Sequence, residues 1–384
     1  TVMQCAAVMG APFETALLGA VVEASNVEAT LRRLESRLLV SRGAEMNQWN
    51  FAHSLIESVV YGTMLKARRL LLHTRIAQAL ERRWAGHEVD HAETLAYHFV
   101  RAQDDAKALV YLMHSGEKAM GRYANEEAIG YFEQAARLLE VQPGASMELR
   151  WRLSAGLGDV YRSKGRYADS MAALQAGVAL VEGAELSGRY LPPLMRRLGE
   201  TAQKQGDLDT ACEFFHQALA LVEVPADAAE HTEVARILTG LAWAQFLQGH
   251  FDEALKSCET SLKHAGQVGA LSEQAAAENL LGGICYRMSD LSSAGQHTRR
   301  AMVLREKMGY GWGVAATLSN LGVLAIAAGD WSKGRSFLER SLALRQELGD
   351  VEGVAIAHNN LGMLTRDQGD LGQAEHHFRT SLEI

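Results

Sequence analysis

From Arg152 onward the chain repeats itself about every 40 residues. The last copies read NNLGMLTRDQGDLGQAEHHFRTSL (Asn359 to Leu382) and SNLGVLAIAAGDWSKGRSFLERSL (Ser319 to Leu342), preceded by copies beginning at Asn279 and Thr239. A period of this length cannot build one layered core. Each copy is a supersecondary unit that buries its apolar face only against its neighbours, so the chain is expected to form a solenoid of stacked hairpins. Such an array offers a long groove to a partner.

The unit is helical. Each copy carries a Leu-Gly or Leu-Ala pair: Leu157-Gly158, Leu198-Gly199, Leu241-Ala242, Leu281-Gly282, Leu321-Gly322 and Leu361-Gly362. A small residue there lets the second helix of the hairpin approach the first. Eight residues after each leucine comes a turn, at Gly165, Gly206, Gly249, Ser289, Gly329 and Gly369. Glycine ends a helix in the left-handed conformation, and the following residue, often aspartate, caps the next helix. An aromatic residue or leucine then opens the second helix: Tyr167, Leu208, Phe251, Leu291, Trp331 and Leu371. A small residue three positions on (Ser170, Ala211, Ala254, Ala294, Gly334, Ala374) continues its inner face.

This pattern resembles the tetratricopeptide repeat over residues 147–384, in six units, with a period longer than the common 34 residues. The links resemble the long-period repeats of bacterial regulators and kinesin light chains. A weaker hairpin is read at 105–121 and 125–140, and one more helix at 91–102. The expected fold is all-α, a superhelix of about seven hairpins preceded by a small winged-helix-like module. The expected divisions are that module and a linker helix at 1–90, entry helices at 91–146 and the six repeats at 147–384.

Residues 1–90 do not repeat. Helices are expected at 1–9, 13–23 and 26–37, then a two-stranded wing at 38–40 and 48–51, then helices at 53–64 and 66–84. Three helices and a wing are the plan of a winged helix. The stretch from Phe51 to Glu81 carries Phe51, His53, Leu55-Ile56, Val59-Val60-Tyr61, Arg68-Arg69 and Leu72-His73. Together with Ala92 to Ala135 it resembles the region after the nucleotide-binding domain of bacterial STAND-type signalling ATPases. The chain contains no GxxxxGK[ST] phosphate loop. The resemblance therefore places ATP in an upstream nucleotide-binding domain, with no cofactor expected in this segment. His53 is the residue that would sense that nucleotide. Thr1 and Ile384 both stand within helical pattern, so the chain is expected to be a piece of a longer polypeptide.

With 48% hydrophobic and 22% charged residues the chain is a folded protein rather than a disordered one, and its net charge of −8 argues against general nucleic-acid binding. The helix at 26–37 holds Arg32, Arg33 and Arg37 but also Glu28 and Glu35, so DNA binding is not expected. The basic run Lys66, Arg68, Arg69, Arg75, Arg82 and Arg83 reads as a solvated helix face. No apolar run reaches the roughly 20 residues that span a bilayer. Cys5, Cys212, Cys258 and Cys285 show no CxxC spacing and are expected to be reduced, which places the protein in the cytoplasm. His87, His91, His98, His376 and His377 form no metal-ligand pattern, and no constellation points to catalysis.

The groove is the expected site. The first helix of each hairpin should line it, which selects Arg196, Lys204, Arg236, Trp243, Asn279, Tyr286, Arg287, Asn320, Asn359 and Arg366. Asparagines there can bond a peptide backbone and arginines can hold carboxylates. The expected role is a sensor and scaffold arm that binds a protein or peptide and regulates an effector outside this chain. The alternative is a stand-alone repeat adaptor.

Overall fold

The computed structural model describes residues 1–22, 26–45, 47–142, 144, 146–182, 187–222 and 224–384. The chain falls into two compact units, Thr1–Leu180 and Val181–Ile384.

The first unit opens with α1 (Val2–Met9), β1 (Phe13–Glu14), α2 (Thr15–Val22), α3 (Val27–Glu35), β2 (Val40–Arg42) and β3 (Gln48–Phe51). The strands form an antiparallel sheet in the order β1-β3-β2. The expected hairpin of strands is present, with its first strand at Val40–Arg42 rather than 38–40, and the expected helix at 13–23 begins two residues late. Phe13 and Glu14 pair with Trp49 and Gln48 instead, and Glu23 lies outside the described residues. The reason is burial. As a strand, Phe13 packs its ring 5.4 Å from that of Phe51 and is almost fully enclosed, as is Trp49, whose Nε1 donates to Thr15 Oγ1. Among the described residues no strand follows Phe51. On α3, Glu28 pairs with Arg32 at 2.7 Å, so its arginines do not present a bare cationic face.

Helices α4 (Ser54–Gly62), α5 (Lys66–Arg83) and α6 (Ala92–Ala102) lead into the repeats. The hairpins are α7 (Asp105–Gly121) with α8 (Asn125–Glu140) and α9 (Met147–Ser163) with α10 (Tyr167–Val181). In the second unit follow α11 (Ser187–Gln205) with α12 (Leu208–Ala220), α13 (Ala228–Gln248) with α14 (Phe251–Gln267), and α15 (Leu271–Arg287) with α16 (Leu291–Lys307). The last are α17 (Gly311–Ala327) with α18 (Trp331–Glu347) and α19 (Val351–Asp367) with α20 (Leu371–Glu383). Seven hairpins are thus seen among the described residues, a tetratricopeptide-like solenoid.

The small residue of each Leu-Gly pair does what its place in the repeat demands. A Cβ on Gly199 would lie 2.9 Å from the Phe215 ring, and one on Gly240, in the next hairpin, 2.7 Å from the same ring. Phe132 is held in the same way by Gly116 and Gly156. One aromatic ring of a second helix thus locks two successive first helices together. The turns follow the expected chemistry as well. Asp207, Asp290, Asp330 and Asp370 cap their helices by accepting from the backbone N–H three residues on.

Candidate functional site

In the second unit the first helices of successive hairpins touch one another: α11 with α13, α13 with α15, and α17 with α19. They form the inner layer, and their solvent face holds a trough. At one end a cleft of about 440 Å³ is lined by residues that include Arg196, Gln203, Arg236, Trp243, Glu273, Asn279 and Arg305. It shares Trp243, Asn279 and Leu280 with a second hollow of about 290 Å³, to which Phe246, Tyr286, Asn320, Val323 and Leu324 contribute. Tyr286 and Val323 continue into a third of about 180 Å³ beside Asn360 and Met363. The trough therefore runs from α11 to α19.

Its first stretch is a ladder of ion pairs. Arg196 bonds Glu200 on its own helix and donates from Nε to Glu233 Oε1 at 2.6 Å. Arg236 donates to Glu273 Oε1 at 2.8 Å and lies 3.8 Å from Glu233. Arg196 is buried; the two carboxylates raise its pKa against the opposing pull of burial, which is the largest single influence. The carboxylates that engage these two arginines belong to the chain itself. The middle stretch is apolar with a polar rim. The Trp243 and Phe246 rings lie 5.6 Å apart, and Trp243, Tyr286 and Val323 are each about two-fifths exposed. Above them Asn320 Nδ2 donates to Asn279 Oδ1 at 3.0 Å.

Between these stretches stands Arg305, on the second helix α16. Its guanidinium donates to Gly313 O at 3.1 Å, to Thr317 Oγ1 and weakly to Asn279 Oδ1. Among the described residues no carboxylate lies within ion-pair distance of it. Burial lowers its pKa. One repeat on, Arg345 holds the corresponding position and pairs with Asp350 at 3.2 Å. The residue that corresponds to Asp350 is Tyr310. Arg305 is thus a cation whose counterion the sequence has replaced.

Of the residues selected from sequence, Arg196, Arg236, Trp243, Asn279, Tyr286 and Asn320 come together in the trough. Lys204, Arg287, Asn359 and Arg366 are exposed and line none of its hollows. Arg287 lies 5.8 Å from the Phe251 ring, and Arg366 pairs with Asp367 at 2.7 Å. His53 caps α4, its Nδ1 accepting from Leu55 N at 3.1 Å. Arg305 lies on a second helix, outside the first-helix positions that the repeat pattern marks as groove-lining. The signal was available in the 40-residue register, as the change from Arg345/Asp350 to Arg305/Tyr310. Of the acidic members of the ladder, Glu200 is legible as an i,i+4 partner of Arg196 on one helix, whereas nothing in a single helix shows that Glu233 and Glu273 meet Arg196 and Arg236 of the preceding first helix.

A family model described as tetratricopeptide repeat matches residues 191–267 and 313–384. No curated protein matches the sequence. Among solved structures the chain resembles the apo form of the quorum sensor NprR from B. thuringiensis. The identity is 11%, the TM-score 0.64, and 96% of each chain is covered. It also resembles a Rap protein complexed with Competence and Sporulation Factor, at 13% identity and TM-score 0.54, over 72% of this chain and 75% of that one. A third is a STAND protein with a tetratricopeptide repeat sensor from Pyrococcus horikoshii, at 13% identity and TM-score 0.55. There 99% of this chain is covered, and it spans 61% of that protein. At such identities the likeness concerns the fold. The matched stretches and the hairpin geometry agree on tetratricopeptide-like repeats.

Proposed function

We propose that the trough of the second unit binds an extended peptide or protein segment bearing a carboxylate beside an apolar side chain, and that this binding makes the chain a sensor and scaffold arm. The observation that carries the reading is Arg305: a half-buried cation with no carboxylate at ion-pair distance among the described residues, next to the Asn279–Asn320 pair and an open aromatic hollow. A ligand carboxylate would supply the missing charge, the asparagine amides would meet a peptide backbone, and Trp243 would cover an apolar side chain. Two structural relatives are a quorum sensor and a protein complexed with a factor, which supports a binding role.

The larger setting we propose is a STAND-type signalling ATPase. Residues 1–90 would be a winged-helix module with its linker helix, 91–146 the entry helices and 147–384 the sensing repeats. ATP and its domain would lie upstream, with His53 facing the nucleotide. The order helix, strand, two helices, two strands supports the winged-helix reading. In this setting the ligand acts by binding one state of the ATPase more tightly than the other. A stand-alone adaptor is equally compatible with the trough. A phosphate-loop motif in the coding sequence upstream of Thr1 separates the two readings.

The test of the trough is selection from a displayed library of random peptides. Enriched sequences should pair Asp, Glu or a terminal carboxylate with a large apolar residue. Arg305→Gln should weaken their binding about ten- to a hundredfold, the cost of a lost charge-assisted bond, and Asn320→Ala about two- to tenfold, the cost of a neutral one. Glu339→Ala, on the outer helix α18, should leave it unchanged. Peptides that bind both trough variants as well as the parent would refute the assignment.

A further inference from the structure

Far from the trough in sequence, in the first unit, a pocket of about 310 Å³ lies between the start of α5 and the end of α6. Lys66 and Arg69 reach it from α5, Arg101 and Gln103 from the other side, and Tyr61 and His73 complete its wall. Three of the residues that distinguish the stretch from Phe51 to Glu81, namely Tyr61, Arg69 and His73, thus meet in one place. The basic run there is more than a solvated face.

The charge is one-sided. No carboxylate lines the pocket, and among the described residues none lies within ion-pair distance of Lys66, Arg69 or Arg101. Elsewhere in the same unit the cations Arg83, Lys107, Lys118 and Arg152 each hold a carboxylate within 3 Å. The two pocket guanidiniums are backed by rings instead: Arg69 lies 5.2 Å from the Tyr61 centroid and Arg101 3.6 Å from that of Tyr97. A ring on one face leaves the N–H edges of a guanidinium accessible, and beyond the one bond that Arg101 Nη1 donates to Tyr97 O at 3.3 Å these edges remain for a ligand. His73 reports the resulting field. Its side chain is buried, and burial, Arg101 and Arg69 all push its pKa the same way, down to about 4, with no carboxylate opposing them. Helix α5 begins at this spot without a side-chain cap, so its dipole adds to the positive potential.

We infer that this pocket binds a multiply charged oxyanion of the phosphate class. Three cations favour a polyvalent anion over a single carboxylate, and guanidinium forks match tetrahedral oxyanions. Leu70 and Val100 add a small apolar part to the lining, but the pocket presents no glycine-rich loop and its charged groups are all cationic, so the chemistry read is that of the phosphate group alone. The ligand is inorganic phosphate or pyrophosphate. This inference is independent of the peptide reading of the trough.

The test is calorimetric titration of the full chain at low salt with pyrophosphate, phosphate, acetate and ATP. Pyrophosphate should bind at a single site and acetate should not. Arg69→Gln with Arg101→Gln should weaken pyrophosphate at least tenfold, while Arg75→Gln, an exposed charge on the same helix outside the pocket, should change affinity less than twofold. Absence of pyrophosphate binding, or equal loss in the Arg75 variant, overturns the assignment. ATP binding tenfold more tightly than pyrophosphate overturns the bare-anion reading in favour of a nucleotide. Should the double variant fail to fold, the native protein still decides. Bound pyrophosphate must raise the His73 pKa followed by NMR, and an unchanged His73 during saturable binding puts the site elsewhere.

Discussion

Arg345 Nη1 donates to Asp350 Oδ2 at 3.2 Å, and the same aspartate caps α19 by accepting from Gly353 N at 2.8 Å. One repeat earlier Arg305 and Tyr310 occupy these two positions, and Tyr310 caps α17 with no side-chain bond. Tyr310→Asp should therefore do two things at once. It should raise stability by about 1 kcal/mol through a restored cap and ion pair. It should also lower affinity for acidic peptides about tenfold or more, because the cation that awaits them is neutralised. Thermal denaturation and peptide titration of the variant check both; a variant that gains stability yet binds as before would show that Arg305 is not the anchor.

The ladder across α11, α13 and α15 depends on Arg196. Its loss leaves Glu200 and Glu233 beside each other in a buried setting. Breaking a buried pair costs roughly 3–5 kcal/mol. The lower end applies here, because Arg236 remains 3.8 Å from Glu233. Urea denaturation of Arg196→Ala should show a loss of about 3 kcal/mol. A loss below about 1 kcal/mol would mean that the ladder is solvated in solution.

Ser289 is the only one of the six turn residues that is not glycine, yet it takes the same left-handed backbone, with φ 67° against 71° to 87° in the others. A left-handed residue other than glycine costs roughly 1–2 kcal/mol. Glycine loses part of that gain through the greater freedom of the unfolded chain. Ser289→Gly should stabilise the protein by about 0.5–1 kcal/mol, read as a higher urea midpoint at unchanged slope.

His73 Nδ1 lies 3.0 Å from His98 Nδ1, and both rings are buried. Burial first, then Arg101 and Arg69, hold His73 down to about 4, and burial first, then His73 and Arg101, hold His98 down to about 3. Both are neutral in the folded protein at pH 7, whereas in the unfolded chain they take up protons near pH 6.5. The unfolded state therefore binds more protons below that pH, and stability must fall as pH drops from about 6.5 toward 4. The limit is about 1.4 kcal/mol per pH unit for each histidine. Replacing both by Gln should flatten the dependence between pH 7 and 5, and an unchanged slope would exclude the pair as its source.

Much of this architecture is legible in the sequence, because a repeat states its packing several times. The Leu-Gly pairs mark close approach, and the rings of Phe215 and Phe378 seated against Gly199 and Gly362 are what those pairs are for. The turn glycines and capping aspartates mark the helix ends. Such features depend on neighbours a few residues away or one period away, so they can be read from spacing alone. Non-local pairings are different. Phe13 and Glu14 form a strand only because Trp49 and Gln48, distant in sequence, come to lie beside them. Arg196 and Arg236, read as groups for a ligand, meet Glu233 and Glu273 instead. Lys66, Arg69 and Arg101, unremarkable on their own helices, converge where no carboxylate follows. Local period and propensity set which residues become helix and which face they share. Which charges neutralise one another, and which are left for a ligand, depends on distances across helices that only the tertiary structure decides.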